Sequence, residues 1–173
     1  MDTFVEQLVI KKKNSTQIAA MALTVVAALM LIAFAVFLFL LGFGFIALIA
    51  IAAILYGTYY LLSSQNIEFE YCVTNGDIDI DRIVAQRKRE RIVSVAGRKI
   101  ESAGKYVAAQ WTNRNMDRVV IAAPSADDPD LYYFTYHSKK RGHTLVVFQP
   151  DERVCKALYE GLPKLVQMDW DKA

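Results

Sequence analysis

Charge is missing from about a third of this chain. Between Lys13 and Glu68 stand 54 consecutive positions without Asp, Glu, Lys or Arg. An apolar stretch of that length excludes a single water-soluble globule. A surplus of either charge is missing too. The first 13 residues carry three Lys against Asp2 and Glu6, and residues 68–173 carry 17 basic against 16 acidic side chains. Such a balance excludes a general nucleic-acid binder, so no nucleic-acid partner is expected. Cysteine is scarce, with only Cys72 and Cys155, no Cys-x-x-Cys spacing, and His137 and His143 as the only histidines. Neither a zinc site nor a disulfide framework follows from that set, and both thiols read as core residues of a reducing compartment. No nucleophile, base and orienting carboxylate share a scaffold, so the expectation is no enzyme, no cofactor and no metal. Asp2 stands where myristoylation needs glycine, and a terminal prenylation box is lacking, so no lipid anchor is expected.

What is present begins with the apolar block, residues 18–62. As one helix its 45 residues would run about 68 Å, over twice the roughly 30 Å of a hydrocarbon core. Two passes fit instead, 18–41 and 43–62, at about 36 and 30 Å. Gly42-Phe43-Gly44 supplies the reversal, because glycine accepts the left-handed backbone that a tight turn demands. Lys11-Lys12-Lys13 precede the first pass and favour the cytoplasmic side, which returns the C-terminal part there too. Tyr56, Tyr59 and Tyr60 stand where an aromatic belt is expected. The expected localisation is a cell membrane, multi-pass, with both termini cytoplasmic. The first pass is too long for a signal peptide and leads straight into the second. Asn14-Ser15-Thr16 would face the cytoplasm, so its glycosylation pattern is read as chance. Residues 1–17 form a short amphipathic and basic segment in which Phe4, Val5, Leu8 and Val9 recur at helical spacing. That spacing predicts a helix lying in the interface plane, or a frayed start to the first pass.

From 63 to 173 the pattern alternates. Ile67, Phe69, Tyr71 and Val73 interleave with polar residues as in a half-buried strand, and Asn75-Gly76 marks a hairpin into Ile78 and Ile80. Further strands are expected over 91–95, 118–122, 131–138 and 144–148, the last two joined through Lys139-Lys140-Arg141-Gly142. Pro150-Asp151-Glu152 opens a helix over 150–162, with Val154, Leu158 and Leu162 as its buried stripe and Pro163 as its stop. Short strands closed by one amphipathic helix predict a small mainly-β sandwich or barrel. The string from Glu70 to Val95, with its Tyr-Cys-Val-Thr-Asn-Gly turn and the basic Arg87-Lys88-Arg89-Glu90-Arg91, resembles the first strands of bacterial pleckstrin-homology-like domains. Phe148-Gln149-Pro150-Asp151-Glu152 resembles their ending. The whole chain is similar to a bacterial family with two membrane helices and one such domain. That resemblance implies an α-helical transmembrane hairpin followed by a pleckstrin-homology-like domain, in a binding or assembly role.

Asp77, Asp79 and Asp81 depart from the basic first hairpin of phosphoinositide-binding relatives, so such recognition is not expected. They also fail the calcium-loop pattern, which has Arg82 and Lys88 at its glycine and glutamate positions, and read as a solvated strand face. Trp111, Tyr132, Tyr133, Phe134 and Tyr136 read mainly as core. Arg87, Lys88, Arg89 and Arg91 are the candidate contact for anionic lipid head groups, with the acidic hairpin expected to point elsewhere. The expected partners are the lipid bilayer and a membrane protein or a second copy. One alternative is an accessory subunit of a membrane transport or secretion complex, since Ala19, Ala20, Ala27, Ala28, Ala47 and Ala50 would admit close helix packing.

Overall fold

A computed structural model describes residues 3–111 and 114–170. The chain divides into two compact units. One is residues 12–66, and the other joins residues 1–11 to 67–173.

The first unit is a helical hairpin of α1 (Ser15–Leu40) and α2 (Gly44–Ser63). Their 26 and 20 residues rise about 39 and 30 Å, so both are long and apolar enough to cross a membrane. Gly42 takes a φ of +95° in the reversal. Only Ala35 and Ala47 are buried on these helices, whereas a core helix of a soluble protein would be mostly covered. The hydroxyls of Thr24 and Thr58 donate to the carbonyls of Ala20 and Ile54 (2.8 and 2.7 Å), which leaves no polar hydrogen of theirs facing an apolar medium.

The second unit contains two four-stranded sheets. Sheet one runs β1 (Phe4–Ile10), β2 (Ile67–Thr74), β3 (Asp77–Val84) and β4 (Lys88–Val95) in that order, all antiparallel. Its first strand corrects the expectation of an N-terminal helix. Val5, Gln7 and Val9 turn inward while Phe4, Glu6, Leu8 and Ile10 stay exposed, a period of two. The apolar spacing here fits either period, and the ladder to β2, from Phe4 opposite Thr74 to Ile10 opposite Glu68, settles it. The apolar helices are thus an insertion between two neighbouring strands of one sheet.

Sheet two comprises β5 (Ile100–Lys105), β6 (Arg118–Ala122), β7 (Tyr132–Ser138) and β8 (Gly142–Phe148) in the order β5-β7-β8-β6, with β6 parallel to β8. A short helix, α3 (Ala108–Trp111), lies between β5 and β6. Helix α4 (Glu152–Gly161) follows β8, and α5 (Lys164–Trp170) closes the described chain. Asp151 caps α4, its Oδ1 accepting from the Val154 N–H at 2.8 Å, so the helix starts two residues later than the 150–162 reading. Val154, Leu158 and Leu162 form its buried stripe as expected. Strand β5 and helix α5 lay outside the sequence expectations, while the sandwich and its closing helix agree with them.

Phe69, Tyr71, Ile78 and Ile80 of sheet one meet Phe134, Val146 and Phe148 of sheet two, with α4 over them. Tyr71 ties the sheets together. Its hydroxyl donates to the Ala122 carbonyl and accepts from the Gln149 N–H at 3.2 Å, and burial raises its pKa far above the usual phenol value.

Candidate functional site

Register decides what the basic cluster can do. In β3 and β4, Val84 lies opposite Lys88, and Asp81 opposite Arg91 across a shift at Ile80/Asp81. This shift buries Ile80 and Asp81 consecutively, so Asp81 is not a solvated strand residue. Arg91 reaches it from the edge strand, Nε to Oδ1 at 2.9 Å, and holds Asp79 through Nη1 at 2.9 Å. Arg89 pairs with Glu70 and approaches Asp81 Oδ2 at 3.6 Å. Arg82 takes Glu90 at 2.8 Å. Asp79 and Asp81 therefore do not point elsewhere; with Glu70 they bind Arg89 and Arg91 on the outer face of sheet one. Those pairs hold the Arg91 pKa above its ordinary value, first through the Asp81 hydrogen bond and then through Asp79. Asp77 Oδ1 accepts from the Gly97 N–H at 3.0 Å and closes the far end of the sheet.

Arg87 and Lys88 sit differently. Lys88 is opposite Val84, Val84 opposite Ile67, and the Ile67 carbonyl accepts from the Lys11 N–H at 3.0 Å. Three strand spacings, about 14 Å, separate Lys88 from Lys11 along one end of the sheet. The chain leaves for α1 and returns from α2 at this same end. The turn there carries Ala85 and Gln86, both at φ +55° and neither a glycine.

The remaining candidates are scattered. His137 and His143 face each other across the β7–β8 hairpin, ring centroids 4.7 Å apart, with Glu101 3.5 Å from the His143 ring. Among the described residues no three His, Cys, Asp or Glu side chains converge as metal ligands. Cys72 is half-buried on the outer face of β2, not in the core; burial first, then Glu6 and Asp79, raise its pKa. Trp111, Phe134 and Tyr136 are buried, as expected of core aromatics, whereas Tyr132 and Tyr133 are half-buried.

A second feature is an open cleft of about 880 Å³ between β1, the start of β7, and helices α4 and α5. Gln7 stands at its edge and braces the β8–α4 junction, donating to the Gln149 carbonyl at 3.1 Å and accepting from the Asp151 N–H at 2.7 Å. Tyr132 and Trp170 stack along the wall, centroids 5.2 Å apart and planes 21° from parallel. Asp130, Asp151 and Glu152 supply acid and Lys156 the opposing charge. Cys155 lines it too, its thiol pushed up to about 11 by burial and then by Asp151 and Glu152. Sequence reading missed this cleft because its residues come from segments up to 163 positions apart. The one local signal was Val166 and Trp170 at helical spacing.

The sequence model of a family described as "Bacterial PH-like domain (DUF6106)" matches residues 1–168. No curated protein and no solved structure matches the chain.

Proposed function

The chain belongs to this family of bacterial PH-like domain proteins, and from that premise we propose that it is a membrane-anchored binding or assembly module. Its domain sits at the cytoplasmic surface of the bacterial cell membrane, and its role is binding rather than catalysis, as the domain type implies. One observation carries the reading: the apolar hairpin is inserted between adjacent, hydrogen-bonded strands. Ile10 and Glu68 are register partners, so the chain enters and leaves the helices from one point of the sheet. A span that must return to that point crosses an even number of times, and two crossings match the two helices. Lys11, Lys12 and Lys13 beside that point favour the cytoplasmic side for it.

The linkers are short. Four residues join β1 to α1 and three join α2 to β2, reaching about 14 and 10 Å when extended. The basic cluster 87–91 on the same sheet end is then the surface turned to anionic lipid head groups. Arg87 and Lys88 make the contact, and Arg89 and Arg91 support the turn from their carboxylates. Each cation near an anionic leaflet contributes about 1 kcal/mol, falling off within a Debye length.

The native thiols test the topology. In intact cells Cys72 and Cys155 should stay unlabelled by an impermeant maleimide and become labelled after lysis with mild denaturant. Labelling from outside intact cells would overturn the inside-facing assignment.

A second reading, an accessory subunit of a transport or secretion complex, draws on the groove between the helices. Leu23, Thr24, Ala27, Ala28, Ile54 and Gly57 line about 450 Å³ there, space for an apolar partner. Crosslinking in native membranes separates the two, since a stoichiometric membrane-protein adduct through α1 or α2 is expected only of the subunit.

A further inference from the structure

The cleft beside α4 has a chemistry that the membrane contact does not use. Its wall is an aromatic pair, Tyr132 stacked on Trp170, with both rings half-exposed. At its rim Asp151 is spent, capping α4 and paired with Arg153 at 2.8 Å. Asp130 and Glu152 are both exposed, and no ion pair is formed by either among the described residues. Lys156, one helical turn from Glu152, is the cation that faces them. A ring face attracts a cation through its quadrupole, and carboxylates beside it add charge pairing. Arginine suits both at once, because its guanidinium is planar, stacks on aromatic rings and binds carboxylates in a fork. Lysine, a hydrated point charge, gains less from the stack.

We propose that this cleft docks an arginine-bearing segment of a partner protein, the guanidinium laid on the Trp170–Tyr132 pair and held by Glu152 and Asp130. The inference rests on the binding-module reading and names the partner's chemistry. A protein segment, not a free small molecule, is the occupant because the cleft is open to solvent along its length, whereas a small-molecule site encloses most of its ligand.

The test uses the full chain in nanodiscs of neutral phosphatidylcholine, so that a basic peptide has no anionic lipid to bind. A fluorescein-labelled hexapeptide of alternating Arg and Gly is titrated and followed by anisotropy, beside its Lys-Gly and Glu-Gly counterparts. Saturable binding is expected for the Arg peptide, weaker binding for Lys and none for Glu. The double variant Asp130→Asn/Glu152→Gln should weaken the Arg peptide about tenfold, and Trp170→Leu by a similar factor. The acidic pair is exposed, so the double variant tests the site even if Trp170→Leu disturbs α5. Equal affinity of the double variant would overturn the proposal, as would absence of binding by the unaltered chain. Displacement by free arginine at the peptide's own concentration would overturn the protein-segment assignment. Maleimide protection of Cys72, which lies on β2 outside the cleft, reads only the side of the membrane that the domain faces, so a failed titration beside a protected Cys72 sinks this inference and leaves the anchoring reading intact.

Discussion

Gly76, Gly97 and Gly161 belong to a hairpin turn, a 3₁₀ turn and the end of α4, yet their backbones touch. A Cβ on Gly161 would collide with the Cα of Gly76, and one on Gly97 with the Gly76 carbonyl oxygen. Backbone cannot retreat as a flexible side chain can, so Gly161→Ala should cost roughly 2–3 kcal/mol. Chemical denaturation in detergent would read that loss, and a shift under 0.5 kcal/mol would mean the junction yields more easily than its geometry implies. A second residue-scale expectation concerns Cys155, whose thiol is pushed up to about 11 by burial and by the acids of its cleft. Since the thiolate is the nucleophile, alkylation at pH 8 should be far slower than that of a free cysteine and should accelerate as pH approaches 11. Glu152→Gln removes one of the charges that raise the value, so it should speed the reaction at fixed pH. Mass spectrometry of timed iodoacetamide quenches measures both.

At the scale of elements, β4 separates two kinds of basic residue that look alike in sequence. Arg89 and Arg91 pair with carboxylates that are nearly covered, Glu70 and Asp81, each of whose side chains is about a tenth exposed. Removing Arg91 leaves the covered Asp81 with only the longer 3.6 Å approach of Arg89, and a buried charge short of its close partner costs more than the pair itself contributes. Arg91→Gln should therefore lower the melting temperature by several degrees. Lys88→Gln should leave it within a degree while weakening attachment to anionic vesicles. Thermal melts and vesicle flotation at two salt concentrations would divide the cluster, and equal melting temperatures for both variants would refute the division. The bulge at Ile80/Asp81 is what makes the difference, because it turns Asp81 toward the two arginines. Strand alternation alone puts Asp77, Asp79 and Asp81 on one wet face.

For the whole molecule, the insertion of the helices into sheet one sets how the domain can be isolated. A chain starting at Ser63 lacks β1. It loses the cover that Val5 and Val9 give the core, and both hydrogen bonds of Gln7 to the β8–α4 junction. Joining residues 1–11 to 67–173 through a short glycine-containing loop restores them, since the Lys11 N–H already meets the Ile67 carbonyl at 3.0 Å. The joined chain should be soluble, rich in strand by circular dichroism, and cooperative on heating. The shorter chain should melt well below it or aggregate, because an edge strand and its buried face are missing. A shorter chain as stable as the joined one would show that β1 is dispensable.

Sequence alone determined the features whose cause is local. A charge gap too long for one span and a Gly-Phe-Gly break make a helical hairpin. Period-two alternation closed by Asn75-Gly76 makes a strand pair, and an acid after proline starts a helix. Tertiary structure decided the features whose cause is a partner far along the chain. Phe4, Val5, Leu8 and Val9 satisfy a helix or a strand equally, and only β2, more than 50 residues later, selects the strand. Whether Arg89 and Arg91 face lipid or carboxylate depends on a one-residue register shift that no local pattern encodes. The Tyr132–Trp170 cleft exists only because β1, β7, α4 and α5 converge there. Periodicity reports which way a side chain points along its own element, and the identity of what it meets is set when the elements come together.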